Sequence, residues 1–287
     1  MKQDQIANTF SYHSEDSFIS SSFPGGVATA ALPEERLPFT IKIVGDRQAL
    51  QKAVGIRHAA YSRHLPELAQ NLLHFEAADL APDTIVLLAE SKLDGSSLGT
   101  MRIQTNRFKA LGLEQSVTLP DWLQGRSLAE ATRLGVTSNQ IGKVVKTMLF
   151  KAYFEYCVEN GIDWMVITAR FPLDRQYDAL LFQDVFQGRQ FIPMQHVGNL
   201  PHRVMAFDVA TARQRWAAAG HPLFGLIFEM RHPDLMLESP PHMLADQFNQ
   251  VNYDRPAGKQ DTGKPASKSA SKPASKPASK PASQPFN

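Results

Sequence analysis

The sequence predicts an α/β domain built on a mixed sheet, and three observations lead to this prediction. Segments with the two-residue period of strands alternate along the chain with segments that have the 3.6-residue period of helices. Asp94-Gly95 separates two strand-like segments and is a strong hairpin signal. Residues 143–160 form the clearest helical pattern, and Gly161 follows where glycine commonly ends a helix.

Each element follows from a local pattern. Pro38–Val44 alternates as a strand does, and Arg47–Leu65 has apolar residues spaced for an amphipathic helix. Thr84–Ala89 is almost entirely apolar, as expected of a strand that is buried on both faces. Further strands are predicted over Leu98–Thr105, Leu128–Val136, Asp163–Ala169 and near Arg189–Pro193 and Val204–Asp208, with a helix from about Leu173 to Phe186.

Composition divides the 287 residues into three parts. Residues 1–36 mix Ser, Gly and Pro without a sustained period, which predicts a flexible N-terminal arm. Residues 37–252 carry the periodic segments and are predicted to be the folded domain. Residues 253–287 repeat Lys-Pro-Ala-Ser and are predicted to be a disordered tail, because this composition buries too little apolar surface to offset the entropy of ordering.

Positive charge is concentrated in the tail. The net charge is +2, whereas residues 254–287 contain six lysines and one arginine against two aspartates. The remainder of the chain is therefore mildly acidic, which gives no support to nucleic-acid binding by the folded part. The tail has two interpretations: a solubilising segment, or a source of weak attraction to an acidic carrier protein or a membrane surface.

Several classes of site are disfavoured. Cys157 is the only cysteine, so intramolecular disulfides and zinc sites with several thiolates are excluded, and we expect it to be an inert core residue. The nine histidines show no metal-ligand spacing, and His196 and His202 are expected to be exposed beside a Gly-Asn-Leu-Pro turn. With neither a membrane-spanning run nor a secretory signal, the sequence predicts a cytoplasmic protein.

Two strand-like segments carry ionised side chains, Gly99-Thr-Met-Arg102 and Glu130-Ala-Thr-Arg133-Leu-Gly-Val. Strand residues that face a core rarely carry charge unless the charge is paired or functional. Glu130 is the candidate general base, and Arg102 is its candidate catalytic partner. A regular strand would place Glu130 and Arg133 on opposite faces, so a joint site requires a β-bulge between them.

The order of elements looks like a GNAT-type acyltransferase fold. The two segments, together with Arg57-x-x-x-Tyr61 and Glu76-x-x-Asp79 upstream, resemble the acyl-homoserine-lactone (autoinducer) synthases. Those enzymes usually have Phe where this chain has Tyr61, two aspartates as the acidic pair, and a Gly-Trp where this chain has His64-Leu-Pro. The closer resemblance is to the related N-acyl amino acid synthases, and it covers about residues 38–235.

This resemblance implies a mostly antiparallel central sheet, flanked by helices, that is splayed between strands four and five to admit a pantetheine arm. It also implies a substrate-binding group, made of Arg57, Tyr61, Glu76, Asp79 and Arg133. Tyr177 lies on the helix where many GNAT enzymes place a tyrosine general acid. Simpler interpretations are solvated loop acids at Glu76 and Asp79, an Arg57 that pairs with one of them, a packing role for Tyr177, and a structural Arg102–Glu130 ion pair.

The resemblance also bears on the donor. GNAT enzymes that use coenzyme A usually carry a glycine-rich loop for the pyrophosphate, whereas residues 136–143 contain one glycine. This difference favours the acyl-phosphopantetheine of acyl carrier protein as donor, with no permanently bound cofactor and no metal. Residues 182–194, rich in Phe and Met, would line an acyl tunnel or belong to the core.

We therefore predict an N-acyltransferase that joins a fatty acyl group from acyl carrier protein to the amine of an amino acid. The alternatives are an acyl-homoserine-lactone synthase that uses S-adenosylmethionine, and a non-catalytic GNAT-like binding module.

Overall fold

The computed structural model describes residues 32–238, in which strands and helices form one mixed α/β arrangement. The strands are β1 (Phe39–Ile43), β2 (Thr84–Ser91), β3 (Ser97–Thr105), β4 (Leu128–Val136), β5 (Trp164–Ala169), β6 (Gln183–Asp184), β7 (Ile192–Met194), β8 (Leu200–Asp208) and β9 (Leu235–Met236). The helices are α1 (Arg47–Ser62), α2 (Pro66–Gln70), α3 (Gln140–Glu159), α4 (Asp174–Ala179) and α5 (Ala212–Ala218).

The sheet has the strand order β6-β8-β5-β4-β3-β2-β1-β9, and β7 pairs with β8. Neighbouring strands are antiparallel except for β4 with β5 and β1 with β9. Pairing between β4 and β5 stops at Ala131 and Ile167, although β4 continues to Val136. The predicted fold is thus confirmed, including the splay between the fourth and fifth strands.

Helices cover both faces of this sheet. On β2, Ile85 and Leu87 belong to the core beneath α3, whereas Val86 and Leu88 pack with residues of α1. This two-sided burial explains why the strand is an apolar run rather than an alternating pattern. No helix among residues 32–238 is long and apolar enough to cross a membrane.

Two glycines in the strand motifs allow helices to approach the sheet closely. A Cβ on Gly99 would lie 2.6 Å from Val145 Cγ1 on α3. A Cβ on Gly135 would lie 3.0 Å from the Cβ of Ala60 and 3.2 Å from the Cα of Arg57, both on α1. These two helices therefore rest on β3 and β4 at positions where a larger residue would push them away.

The predicted order of elements is confirmed as far as β8, but some boundaries were wrong. The helix predicted to end at Leu65 ends at Ser62, since Leu65 precedes Pro66 and leaves the helical conformation. The helix predicted over residues 173–186 stops at Ala179, because the chain turns through a left-handed Leu181 and Gln183–Asp184 pairs with β8. The sequence analysis also missed β6, α5 and β9.

The predicted flexible arm and disordered tail lie largely outside the described residues. Within them, Glu34 and Arg36, assigned to the arm, contact the other end of the described chain. Arg231 Nη1 lies 2.6 Å from Glu34 Oε1, and Arg36 Nη1 lies 3.4 Å from Asp234 Oδ1. Cys157 is fully buried and burial raises the pKa of its thiol well above the ordinary value, as expected for an inert core residue.

Candidate active site

A β-bulge on β4 satisfies the geometric requirement stated above. Thr100 pairs with Gly135 and Arg102 pairs with Thr132, so two residues of β4 oppose the single residue between them on β3. Arg133 adopts a left-handed conformation with φ 55°. The bulge turns the Arg133 side chain to the face that carries Arg102, Thr132 and Glu130.

Glu130 is fully buried on this face. Its Oε2 accepts a hydrogen bond from the Leu113 backbone N–H at 3.2 Å, and its Oε1 has no hydrogen-bond partner among the described residues. Burial raises the pKa of Glu130 to about 7, against the opposing effects of the Leu113 N–H and the charges of Arg102 and Arg133. A carboxyl group with a pKa near neutrality is suited to take a proton from an amine.

Three arginines surround Glu76 and Asp79. Arg57 donates from Nη1 and Nη2 to the two Asp79 oxygens, both at 2.9 Å, and Arg133 donates from Nε and Nη2 to the two Glu76 oxygens, both at 2.7 Å. Arg102 Nη1 bridges the acids, at 3.0 Å from Glu76 Oε2 and 3.3 Å from Asp79 Oδ1. We call these five residues the arginine–acid cluster.

The cluster corrects three simpler interpretations. Arg102 pairs with Glu76 and Asp79 and not with Glu130, so a structural Arg102–Glu130 ion pair is not formed. Asp79 is buried rather than a solvated loop acid, and Arg57 pairs with both acids. Burial by itself would raise the pKa of Glu76, but the hydrogen bond and charge of Arg133, with Arg102 and Arg57, lower it to about 2.

A cavity of about 260 Å³ occupies the gap where β4 and β5 diverge. Its walls come from the end of α1, the bulged half of β4, the end of β5, α3, α4 and the start of β8. Among the seven candidate site residues, Tyr61 and Arg133 line it, whereas Glu130, Arg102, Arg57, Glu76 and Asp79 lie behind its wall. Arg133 Nη1 is buried and without a hydrogen-bond partner in the described residues, so one donor beside the cavity is free.

The cavity wall carries Tyr177, the candidate general acid, and a set of charged side chains. Tyr177 packs its ring on Phe182 at 5.4 Å, and burial raises its pKa to about 12, so its hydroxyl stays protonated at neutral pH. The charged side chains on the wall are Arg63, Arg133, Lys146 and Arg170, and no Asp or Glu of the described residues joins them. The cavity is therefore cationic.

His196 and His202 are not exposed, as the sequence analysis had expected. His202 is buried and lines the cavity, and the His196 side chain is only 11% exposed. His196 Nε2 lies 3.7 Å from Glu130 Oε1 and 3.4 Å from Thr168 Oγ1. Sequence reasoning missed the burial of both histidines, because a turn signal between them says nothing about which elements pack against His196 before it and His202 on β8 after it.

The Phe- and Met-rich stretch belongs to the core rather than to a tunnel. Phe182 packs in the core beneath α3, and Val185 and Met194 pack in the core on the opposite face. A second, larger cavity of about 730 Å³ lies at the other end of β4, near Asp83 and Arg126, and is lined by none of the candidate site residues. No cluster of three His, Cys, Asp or Glu side chains suited to a metal ion occurs within residues 32–238.

A sequence model of the N-acyl amino acid synthase FeeM family matches residues 52–208, more than half of the chain. No curated protein matches. Among solved structures, the N-acyl amino acid synthase FeeM from uncultured soil microbes has a TM-score of 0.50 and 16% identity, over 63% of this chain and 96% of that chain.

Two other solved structures are more distant in shape. The CoA-dependent acyl-homoserine lactone synthase BjaI, with S-adenosylmethionine and isopentyl-CoA, has a TM-score of 0.47 and 16% identity, over 73% of this chain and 99% of that chain. An N-acetyltransferase from Staphylococcus aureus Mu50 has a TM-score of 0.39 and 12% identity, over 60% and 98%. The likeness to FeeM shows a shared fold, and the family match over residues 52–208 adds the activity class: the chain is an acyltransferase that belongs to the FeeM family of N-acyl amino acid synthases.

Proposed function

We propose that this protein transfers a fatty acyl group from acyl carrier protein to the amine of a free amino acid. The observation that carries the proposal is the buried Glu130, with a pKa of about 7 and a free Oε1, beside the gap between β4 and β5. An amino acid carries an ammonium group at neutral pH, and acyl transfer requires the neutral amine. Glu130 accepts that proton, and the amine then attacks the thioester carbonyl.

The bulge and Tyr177 would act on the thioester, at its carbonyl oxygen and at its leaving thiolate. Backbone groups of the bulge at Arg133 and Leu134 are the candidates for stabilising the oxyanion of the tetrahedral intermediate, because both residues line the cavity. Tyr177 is a hydrogen-bond donor on the same cavity, available to the departing pantetheine thiolate. The arginine–acid cluster holds Arg133 in place through two hydrogen bonds to Glu76.

Charge supports an amino acid as the acceptor rather than S-adenosylmethionine. Both acceptors bring a carboxylate, for which the free Nη1 of Arg133 is a buried donor, so the difference between them is the sulfonium. S-adenosylmethionine brings a positive sulfonium into a cavity whose charged lining residues are Arg or Lys. The two acids that would have offset this charge, Glu76 and Asp79, are already engaged by arginines.

The start of α3 supports a carrier protein rather than coenzyme A. Asn139 caps this helix and its side chain accepts the Gly142 N–H at 3.1 Å, so that donor is not free for a pyrophosphate. A Cβ on Gly142 would collide with the Thr137 carbonyl, which explains the single glycine as a packing requirement. The cations Arg63, Lys146 and Arg170 on the cavity wall would suit an acidic carrier protein and its phosphate.

The test compares the purified full chain with its Glu130→Gln variant, using acyl carrier protein or acyl-coenzyme A as donor and amino acids or S-adenosylmethionine as acceptor. We expect N-acyl amino acids from the carrier-protein donor, and a loss of at least about 100-fold in kcat for Glu130→Gln. Glu159→Gln, an exposed change on α3, is the matched control. Products are identified by mass spectrometry, and lipid extracts of expressing cells would name the natural acceptor.

Three other results would change the proposal. Acyl-homoserine lactones as the product would mean that the acceptor is S-adenosylmethionine rather than an amino acid. Equal use of acyl-coenzyme A would remove the carrier protein from the proposal. A Glu130→Gln variant that keeps wild-type kcat would remove Glu130 as the base.

A further inference from the structure

Glu130 is separated from the cavity that would hold the acceptor. It is fully buried and does not line the cavity, whereas Thr168 does. Thr168 is the first residue of β5 beyond the last pair with β4, so its hydroxyl lies where the two strands begin to diverge. A base that deprotonates a bound ammonium from behind the wall needs a group that conducts the proton between them.

His196 occupies the position between these two residues. Its Nε2 lies 3.4 Å from Thr168 Oγ1 and 3.7 Å from Glu130 Oε1, and that Oε1 is the carboxylate oxygen without a hydrogen bond. The second distance is longer than a hydrogen bond, but contacts of this kind commonly tighten when substrate binds. Nε2 is thus the atom nearest to both ends of the required path.

The turn that carries His196 is fixed in place by neighbouring elements. The His196 carbonyl accepts a hydrogen bond from Arg133 Nη2 at 3.1 Å, and the Gln195 N–H donates to Ser116 Oγ at 2.9 Å. Gly112 lies beside both side chains, since a Cβ built on it would be 3.4 Å from Glu130 Oε2 and 3.8 Å from His196 Cγ.

We propose that Thr168 and His196 form a relay that moves the proton of the acceptor ammonium to Glu130, which makes His196 a positioning residue for the base. The inference rests on the proposed function. The ammonium gives its proton to Thr168 Oγ1 as the Thr168 hydroxyl proton passes to His196 Nε2. Nε2 then passes a proton to Glu130 Oε1, leaving a neutral amine, a neutral imidazole and a protonated carboxyl.

The surroundings keep the imidazole neutral between transfers. Burial, together with the positive charges of Arg133 and Arg102, lowers the pKa of His196 to about 4 against the opposing charge of Glu76. Two further titratable groups face His196: Glu130, whose Oε1 is 3.7 Å from Nε2, and His202 on β8, which lowers the pKa of His196 as the arginines do. A neutral imidazole can accept and release one proton without retaining it.

The kinetic test uses two variants of the relay and one matched control. Thr168→Val removes the hydroxyl and keeps the β-branched shape, Thr168→Ser keeps the hydroxyl, and His196→Gln keeps polarity but cannot carry a proton at neutral pH. We expect Thr168→Val and His196→Gln to lower kcat at least about tenfold with little change in KM and Tm, and Thr168→Ser to retain most of kcat. Wild-type kcat in either Thr168→Val or His196→Gln would overturn the relay, because the proton passes through both side chains in series.

A second measurement does not depend on turnover. We expect the ¹⁵N shift of His196 Nε2, followed by NMR, to change with an inflection near the Glu130 pKa of about 7, and Glu130→Gln to abolish that inflection. Absence of the inflection in the wild type would overturn the relay even in an active enzyme. The inflection in a protein that makes no N-acyl amino acid would show that His196 and Glu130 are coupled, but it would refute the proposed function and, with it, the relay.

Discussion

At the scale of single residues, the protonation states in the site depend on which carboxylates pair with the buried arginines. Glu76 and Asp79 neutralise most of the charge of three buried arginines, and Glu130 is left with one backbone hydrogen bond. The two glutamates consequently have opposite pKa shifts, to about 2 for Glu76 and to about 7 for Glu130. Carboxyl groups separated in this way can serve structural and proton-transfer roles at the same pH.

The raised pKa of Glu130 makes stability depend on pH. The folded protein retains up to about pH 7 a proton that the unfolded chain releases near the ordinary value of 4.5, so this stabilisation is full below 4.5 and is lost as pH rises through 7. Glu130→Gln cannot ionise. We expect it to be more stable than the wild type at pH 8, by up to roughly 3 kcal/mol, and to lose most of that advantage near pH 5. Urea unfolding at the two pH values checks this, and an advantage that is equal at both would contradict the shift.

Glu76 is predicted to be a structural requirement of the cluster. Glu76→Gln removes the charge that Arg57, Arg102 and Arg133 share, and leaves buried cations with one carboxylate. We expect a loss of about 3 kcal/mol or more in the free energy of unfolding at neutral pH.

The matched control for that change is Glu229→Gln, which breaks an exposed pair with Arg213 at 3.5 Å. We expect it to cost less than about 1 kcal/mol. Comparable losses for the two variants, measured by denaturant unfolding, would mean that burial of the cluster contributes little.

At the scale of elements, the position of α1 against β4 determines the geometry of the site. Arg57 and Tyr61 lie on α1, and the bulge that orients Arg133 immediately precedes Gly135, which α1 contacts. Asp46 caps the start of the helix by accepting the Ala49 N–H at 2.8 Å. A shift of α1 would therefore move Arg57, Tyr61 and the cavity wall together.

Gly135→Ala tests this packing. Its Cβ would lie 3.0 Å from Ala60 Cβ and 3.2 Å from Arg57 Cα, and part of that contact is with backbone, which cannot rotate away. We expect a loss of about 1–3 kcal/mol in stability and a rise in KM.

Gly55→Ala provides the control on the same helix. Nothing lies within 4 Å of its added Cβ, and alanine is the better helix former, so we expect stability to rise by about 0.5–1 kcal/mol. Thermal unfolding of both variants measures these changes in stability. A Gly135→Ala protein as stable as the wild type would show that α1 has room to move.

At the scale of the whole molecule, the splay between β4 and β5 opens a cationic cavity in a chain whose residues outside the tail are mildly acidic. We therefore expect the proposed acyl carrier protein donor to be attracted locally, by cations on the cavity wall, rather than by the net charge of the domain. Such attraction between an acidic carrier protein and a cationic opening is screened by salt.

Ionic strength is the test of that attraction. We expect kcat/KM with an acyl carrier protein donor to fall several-fold between about 0.05 and 0.5 M salt, because the Debye length shortens from above to below 10 Å. With an uncharged acyl-thioester of N-acetylcysteamine as donor, kcat/KM should fall much less over the same range of salt concentration. An equal response of the two donors in steady-state assays would argue against an electrostatic contribution from the carrier protein.

Much of the fold was predictable because it follows from local patterns. The strand over Leu128–Val136 was placed with its observed bounds, since its periodicity and the turn-rich loop before it are signals between near neighbours. The helix after Leu173 was overextended because its length is limited by pairing of Gln183–Asp184 with β8, a contact the local pattern does not contain.

The sequence by itself determined the α/β order, the two charged strand segments and the need for a bulge between Glu130 and Arg133. Only the tertiary structure decided that Arg102 pairs with Glu76 and Asp79, and that His196 lies beside Glu130. Those partners are 23 to 66 residues apart in the chain, and their proximity depends on how the loops cross the sheet. Periodicity reports which face a side chain occupies, whereas charge pairing and burial depend on which distant segment covers that face.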